Sequence, residues 1–582
     1  MRDHRPRDLS PAEIGFVPQR AVSWLNPGLL AGTAVRVAFA HLFGGYLDKR
    51  ELQASMPSTV HDHSAADELW VDYTADTGDG FDATLSVASV LSRRWLSVDD
   101  GPGLPRADVL VLGGDQVYPA ASAAAYENRW KGPFRAAFPK QPDGGAELYA
   151  VPGNHDWYDG LTAFLRLFAQ GEWIGGWRTR QRRSYFAAAL PHRWWLFAVD
   201  VQLSSYIDEP QLDYFADAAA RLGPGDRVIL CSAKPGWVKT TDDAGAYDNI
   251  DYFVRTVIEP TGAQVPLLLA GDLHHYARYA GDGPDGQGRH LVTCGGGGAY
   301  LVGTADLPDE ITVPPDERAA ARDGSAGARD GSAARDGSAA PPDGRTVPPN
   351  REPEAEPSRR YGLAAAYPSR KRSRQLGWRV FARLPLRNRG FVGLVGLMQT
   401  LLMLAFLSAH GTWLNAAVGA AVAGVFAGTL LFATALGEHG RRHWVAGALH
   451  ALPHLGLGIL GALAWSASPL SEVPNPWDTV LAFAVYLPLA GVVDSWIVSG
   501  YLLLARYARV NVNELYAGLG IDDFKCFLRM HIDSDGSLTL HPVAIDQVCR
   551  RWRADPDGPP GAPWLVPVDP LRARRVEPPV RL

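Results

Sequence analysis

Cysteine is scarce in this chain. Only Cys231, Cys294, Cys526 and Cys549 occur in 582 residues, far apart and without a CxxC pair. That spacing excludes a disulfide scaffold or a zinc ribbon and fits a reducing compartment. An excess of charge is lacking too: the formal net charge is -6, which gives no reason to expect nucleic acid as a partner. The stretch from Met1 to Phe16 is charged and holds no apolar core, so no cleavable signal peptide is expected. A chain this long exceeds one ordinary core, and two or more domains are expected.

The pattern changes several times along the chain. Residues 1–60 read as a helical extension, with Trp24, a Pro27-Gly28 start signal and an apolar run carrying Arg36, His41 and Lys49. His61-Asp62-His63 reads as a solvated loop before the first strand. Over 61–309, strand-like runs at 68–72, 108–113, 147–152, 194–200, 227–232 and 265–271 alternate with helical segments, the mark of α/β layering. Asp200, at the end of one run, is read as structural. From 310 to 358 composition collapses into Pro, Gly and charge, with Ala-Arg-Asp-Gly-Ser-Ala three times between 321 and 340, and a disordered linker is expected.

Residues 359–390 form a basic juxtamembrane segment, with eight basic residues and no acid between Arg370 and Arg389. Four apolar segments follow within 391–505, at about 391–409, 415–436, 444–466 and 480–505. Each reaches the roughly 20 residues a membrane-spanning helix needs. Arg441 and Arg442 follow the second, and Arg506 and Arg509 the fourth; the other two connections hold no Lys or Arg. The bias predicts a multi-pass cell-membrane protein with the N-terminal domain and the C-terminus cytoplasmic, and Trp413, Trp465 and Trp477 anchoring the opposite interface. His450 and His454 share a helical face, and Asp494 lies in the fourth segment. Two readings stand for them: a functional ionisable site, or a His–Asp bond that fixes helix register. The tail, 506–582, reads as a small β-containing cytoplasmic domain with an Asp-Gly hairpin at Asp533–Gly536, since the calcium-loop spacing is absent.

Chemistry concentrates in Val151–Gly160, VPGNHDWYDG. An apolar run feeds a Pro-Gly turn and then Asn154-His155-Asp156. An amide, an imidazole and a carboxylate thus meet at a strand end, where α/β folds present ligand sites. Three further runs end alike: towards Asp76-Thr77-Gly78-Asp79, at Gly113-Gly114-Asp115-Gln116-Val117-Tyr118, and at Gly271-Asp272-Leu273-His274-His275. Four strands delivering carboxylate, amide or imidazole to one end point to a two-metal site.

These blocks resemble the calcineurin-like metallophosphoesterases over roughly residues 60 to 305, with DxG and GDxxY forms most like the purple acid phosphatase branch. The resemblance implies a two-sheet sandwich flanked by helices, here followed by four transmembrane helices and the β-containing tail. It implies a cofactor of two divalent ions of the Mn, Mg or Fe class, and hydrolysis of a phosphomonoester or phosphodiester. By the same resemblance Asp115 bridges, Asp76 and Asn154 bind one metal each, and His274 matches the last histidine of a GHxH block. Tyr118 matches a metal-binding phenolate or packs in the core. His155 is the implied acid, oriented by Asp156.

Two imidazoles of the pattern are missing. Cys231-Ser232-Ala233-Lys234-Pro235 holds no histidine, and Asp272 stands where the GHxH block begins. Asp272 and Asp79 remain as oxygen ligands, which favours Mg or Mn. Lys234 is alternatively a substitute for one metal's charge, or the site has given up turnover. The glycines at 295–298 read as a crowded strand-to-turn transition. Three functions therefore compete: a membrane-anchored phosphoesterase, acting on an ester that the tether allows to be lipid-linked; a non-catalytic ligand sensor signalling through the helices; and a transporter resting on His450, His454 and Asp494.

Overall fold

The computed structural model describes residues 14–33, 35–36, 50–99, 101, 103–141, 144–201, 206–241, 243–281, 288–314, 358–408, 416–434, 440–555 and 558–582. His41 and Lys49, Trp413 and most of the expected linker (315–357) lie outside the described residues.

Two mixed sheets face each other. In the first, Leu69–Thr74, Val109–Leu112 and Ala146–Ala150 run parallel side by side. In the second, Trp194–Val199, Arg227–Ser232, Gln264–Ala270 and His290–Cys294 do the same. The strands are apolar on both faces because each sheet packs on its partner inside and on helices outside. Tyr73, Val111, Leu196, Ile229, Leu269 and Leu528 fill the space between the sheets. Phe81–Leu91 and Gly132–Ala137 cover one outer face and Glu209–Ala219 the other. The expected two-sheet sandwich flanked by helices is present.

Three expectations need correction. The tail is not a separate domain: Lys525–Ile532 pairs antiparallel with Leu69–Thr74, and Leu538–Ile545 pairs on its far side. The tail strands complete the first sheet, and Asp533–Gly536 forms their hairpin turn, with Gly536 at φ 82. The expected linker is shorter than 310–358, since Glu310–Val313 pairs with Arg359–Tyr367 at the edge of the second sheet. Buried Ile311, Val313 and Tyr361 explain why these flanks are ordered. His61-Asp62 is a short edge strand against Ala188-Ala189 rather than a solvated loop.

Among the described residues, four helices are long and apolar enough to cross a membrane: Arg389–Ser408, Ala416–Ala433, Arg441–Ser466 and Trp477–Ala508. Trp477 is exposed, whereas Trp465 is buried against Met403, Ala462 and Ala482. His454 Nδ1 lies 2.7 Å from Asp494 Oδ1, Gln399 Nε2 donates to the same oxygen at 2.7 Å, and His450 Nε2 lies 3.0 Å from His454 Nε2. This network joins three of the four helices, as a register-fixing bond would.

The tail is locked to the first strand by a buried ion pair. Arg529 Nε and Nη2 each meet one oxygen of Asp72 at 2.7 Å, and both residues are at most 2 % exposed. Removing one partner strands the other charge in a dry interior, which costs about 3–5 kcal/mol. Arg529→Ala is therefore expected to lower stability by that amount in denaturant unfolding, and a loss below about 1 kcal/mol would contradict this account.

Candidate metal centre

Asp76, Asp115 and Asp272 each follow a parallel strand, and all three adopt positive φ (58°, 51° and 65°). A non-glycine residue rarely sits there, and such strain clusters at functional sites. The loops behind them are laced together: Asp76, Thr77 and Gly78 donate backbone N–H bonds to the carbonyls of Gly114, Asp115 and Gln116. Small residues make the approach possible. A Cβ on Gly153 would lie 2.1 Å from Asp115 Oδ1, and one on Gly295 would lie 2.4 Å from Asp76 Oδ2. The glycines at 295–298 are thus a crowded turn packed on Asp76 and its neighbours, as read from the sequence.

On one side of Asp115 the donor atoms converge. The Tyr118 hydroxyl donates to Asp76 Oδ1 at 2.9 Å, and lies 3.4 Å from Asp115 Oδ2 and 3.3 Å from His274 Nε2. Tyr118 therefore faces the site, although it is also fully buried. His274 Nδ1 is 2.8 Å from the Tyr300 carbonyl, so it carries the proton and leaves Nε2 as a lone pair towards Asp76 and Tyr118. Burial pushes the His274 imidazole down to about 3, so it is neutral at ordinary pH. Burial also pushes the Asp76 carboxyl well above its usual value, and Asp115 and Asp272 push the same way.

On the other side, a small pocket is lined by Asp76, Asp115, Asn154, Lys234 and Asp272. Asn154 Nδ2 donates to the Tyr158 hydroxyl at 3.0 Å, which leaves its carbonyl oxygen as the donor for this pocket. Lys239 Nζ donates to Asp272 Oδ2 at 3.1 Å. Burial alone would raise the Asp272 carboxyl, but Lys239 and Lys234 outweigh it and hold it at about 2.

Residues 69–276 match the family model of the calcineurin-like phosphoesterases. This segment is a calcineurin-like phosphoesterase domain. No curated protein matches the chain. The domain's family binds divalent metals, and the donors around Tyr118 fit such an ion: two carboxylates, a phenol and a neutral imidazole with its outer nitrogen fixed. Glu68, His531 and Asp533 also bring donor atoms within 4.8 Å of one another, but they lie beyond the opposite end of Leu69–Thr74 from Asp76.

Two sequence assignments change in the phosphoesterase domain. Asp156 does not orient His155; it accepts from Gly153 N at 2.8 Å and from the Tyr126 hydroxyl at 2.5 Å. As third residue of a short helix it turns back to cap that helix, while His155 Nδ1 is held by the Pro119 carbonyl at 2.8 Å. Asp79 Oδ1 accepts from Val22 N at 2.7 Å, and Asp79 does not line the pocket beside Asp115 and Asp272. Asp200 is buried, accepts from Trp157 Nε1 at 3.1 Å, and keeps its structural role.

Sequence reasoning missed Trp24, Tyr300 and Lys239 as parts of the site. Trp24 packs within 5.5–5.8 Å, ring centre to ring centre, of His155, Tyr118 and Tyr300. None of the three belongs to a local motif; for Lys239 the signal was its place five residues after Lys234.

The glycine contacts give a direct test. Gly153→Ala should push Asp115 out of place and weaken Mn²⁺ binding by about tenfold or more, measured by calorimetry on the full chain. Unchanged affinity would show that the Asp115 position does not govern the metal.

Proposed function

We propose that the protein is a membrane-anchored, metal-dependent phosphoester hydrolase acting on a phosphomonoester or phosphodiester. The observation that carries this reading is the convergence of Asp76, Asp115, Tyr118 and His274 at strand ends of the phosphoesterase domain. A bound divalent ion supplies an activated water and positive charge towards the phosphate. A second ion of a dinuclear centre would draw on Asp115, Asn154 and Asp272. In the reaction a water oxygen bonds to phosphorus as the bond to the leaving oxygen breaks. His155, with Nδ1–H held by the Pro119 carbonyl, acts in its doubly protonated form: its Nε2 proton passes to that leaving oxygen, while the water's proton passes to solvent. Preserved donors argue for turnover over the ligand-sensor alternative.

The cytoplasmic face is the side we assign to the domain, on the strength of Arg441, Arg442, Arg506 and Arg509 flanking the spans. A lipid-borne ester fits the placement of the site near the helix ends. Leu25, beside Trp24, shares an apolar cluster with Tyr300, with Phe391 and Val395 of the first membrane helix, and with Val498 and Leu502 of the fourth. A Cβ on Gly390, at the head of the first membrane helix, would lie 3.3 Å from Pro27. A cleft lined by Arg20, Asn26, Leu29 and Arg129 runs from there to Pro119, whose carbonyl holds His155.

Asp115→Ala is expected to abolish Mn²⁺ binding and turnover of an aryl phosphate together, and His155→Ala to keep the metal but slow turnover by about 10²–10⁴-fold. Activity unchanged in Asp115→Ala would sink the reading. Phosphatidic acid in nanodiscs, assayed beside glycerol phosphate, should be the better substrate; equal rates would remove the lipid.

A further inference from the structure

The geometry points to a centre that holds one divalent ion, with the Lys234 ammonium in place of a second and touching the phosphate as a catalytic residue. This inference rests on the hydrolase reading above and concerns the same site. Its starting point is the asymmetry about Asp115. The Tyr118 side gathers two carboxylates and an imidazole within hydrogen-bond distance of the Tyr118 hydroxyl. The Lys234 side has no imidazole among its lining residues.

One oxygen of each of two carboxylates on that side is already engaged, and the Asn154 carbonyl oxygen is the uncharged donor that remains. Asp115 Oδ1 accepts from His155 N at 2.9 Å. Asp272 accepts from Lys239 through Oδ2, and its own N–H donates to Asp76 Oδ2 at 2.9 Å. Lys234 lines the same pocket, near enough to Asp272 and Asp115 for both charges to act on it. Among the described residues its ammonium makes no hydrogen bond, so its three N–H donors are available to a ligand. The strand Arg227–Ser232 and the helix Gly236–Lys239 fix the loop that carries it.

Electrostatics agrees with this division. A second dication here would stand beside two ammonium groups, with Asp272 already paired to one of them. Like-charge repulsion, chiefly from the buried Lys234, opposes that ion. A phosphate, by contrast, meets an ion on one flank and ammonium on the other. The lysine supplies fixed positive charge where negative charge develops on the phosphoryl oxygens. No oxidant or further reactant enters the step: the same bond to water forms and the same leaving bond breaks.

The test uses the full chain in detergent, stripped with chelator, re-equilibrated with Mn²⁺, and its bound metal counted by elemental analysis. One Mn²⁺ per chain is expected. Two would overturn the inference and leave the hydrolase reading standing, whereas none would overturn both. Lys234→Ala should keep one Mn²⁺, bind inorganic phosphate about tenfold more weakly, and turn over an aryl phosphate about 10²–10³-fold more slowly. Unchanged phosphate affinity in that variant would overturn the inference. Lys234→Arg, which keeps the charge, should retain phosphate affinity within about threefold; a loss as large as that of Lys234→Ala would also overturn it.

Discussion

The burial of carboxylates side by side, with their mutual repulsion added to it, is the constraint on which this structure turns. Asp76 and Asp115 are almost wholly buried, and Asp272 stands close enough for its charge to act on both. Left alone, such a group would take up protons rather than stay charged. The fold nevertheless holds each in strained left-handed backbone, an arrangement that persists only where surrounding structure over-determines it. The interlaced loops and the small residues at 153 and 295 provide that determination. The natural relief is positive charge, and the protein supplies part of it through Lys234 and Lys239.

The two lysines also change how the missing imidazoles are understood. A site that has simply decayed would leave Asp272 without a partner and without a reason for its position. Here Asp272 is bonded to Lys239, and its backbone N–H helps fix Asp76. The carboxylate–ammonium pair thus has a defined place in the site, with Asp272 held at both its side chain and its backbone. It also leaves the Tyr118 side of the centre untouched, since the Tyr300 carbonyl fixes His274 independently.

The fold class, the four apolar helices and the loop ends bearing Asp76, Asp115, Asn154 and His274 were legible because local patterns encode them. Strand runs ending in Gly-Asp or Pro-Gly-Asn turns mark a site without knowledge of tertiary contacts. The role of the tail was not legible. Lys525–Ile532 reads like any amphipathic run, and only its partner, more than 450 residues earlier, reveals Arg529 as a buried counter-ion. Asp156 was misread for the opposite reason: its place next to His155 suggested a pair, whereas helical geometry aims neighbouring side chains apart. Trp24 and Tyr300 reach the site through chain entries that no spacing rule describes.

The same long-range contacts decide what counts as one structural unit. His274 is fixed by the carbonyl of Tyr300, and Tyr300 to Val302 pack with residues of the first and fourth membrane helices. Leu301 N donates to the Ile521 carbonyl, and buried Lys525 donates to the carbonyl of Ala299. Each support comes from chain beyond residue 390. A fragment ending near residue 310 would keep every metal donor yet lose the struts behind His274. It would also bare the edge of Leu69–Thr74, the strand that delivers Asp76. The apolar helices and the tail therefore hold the candidate metal centre in shape, because the supports behind His274 belong to them.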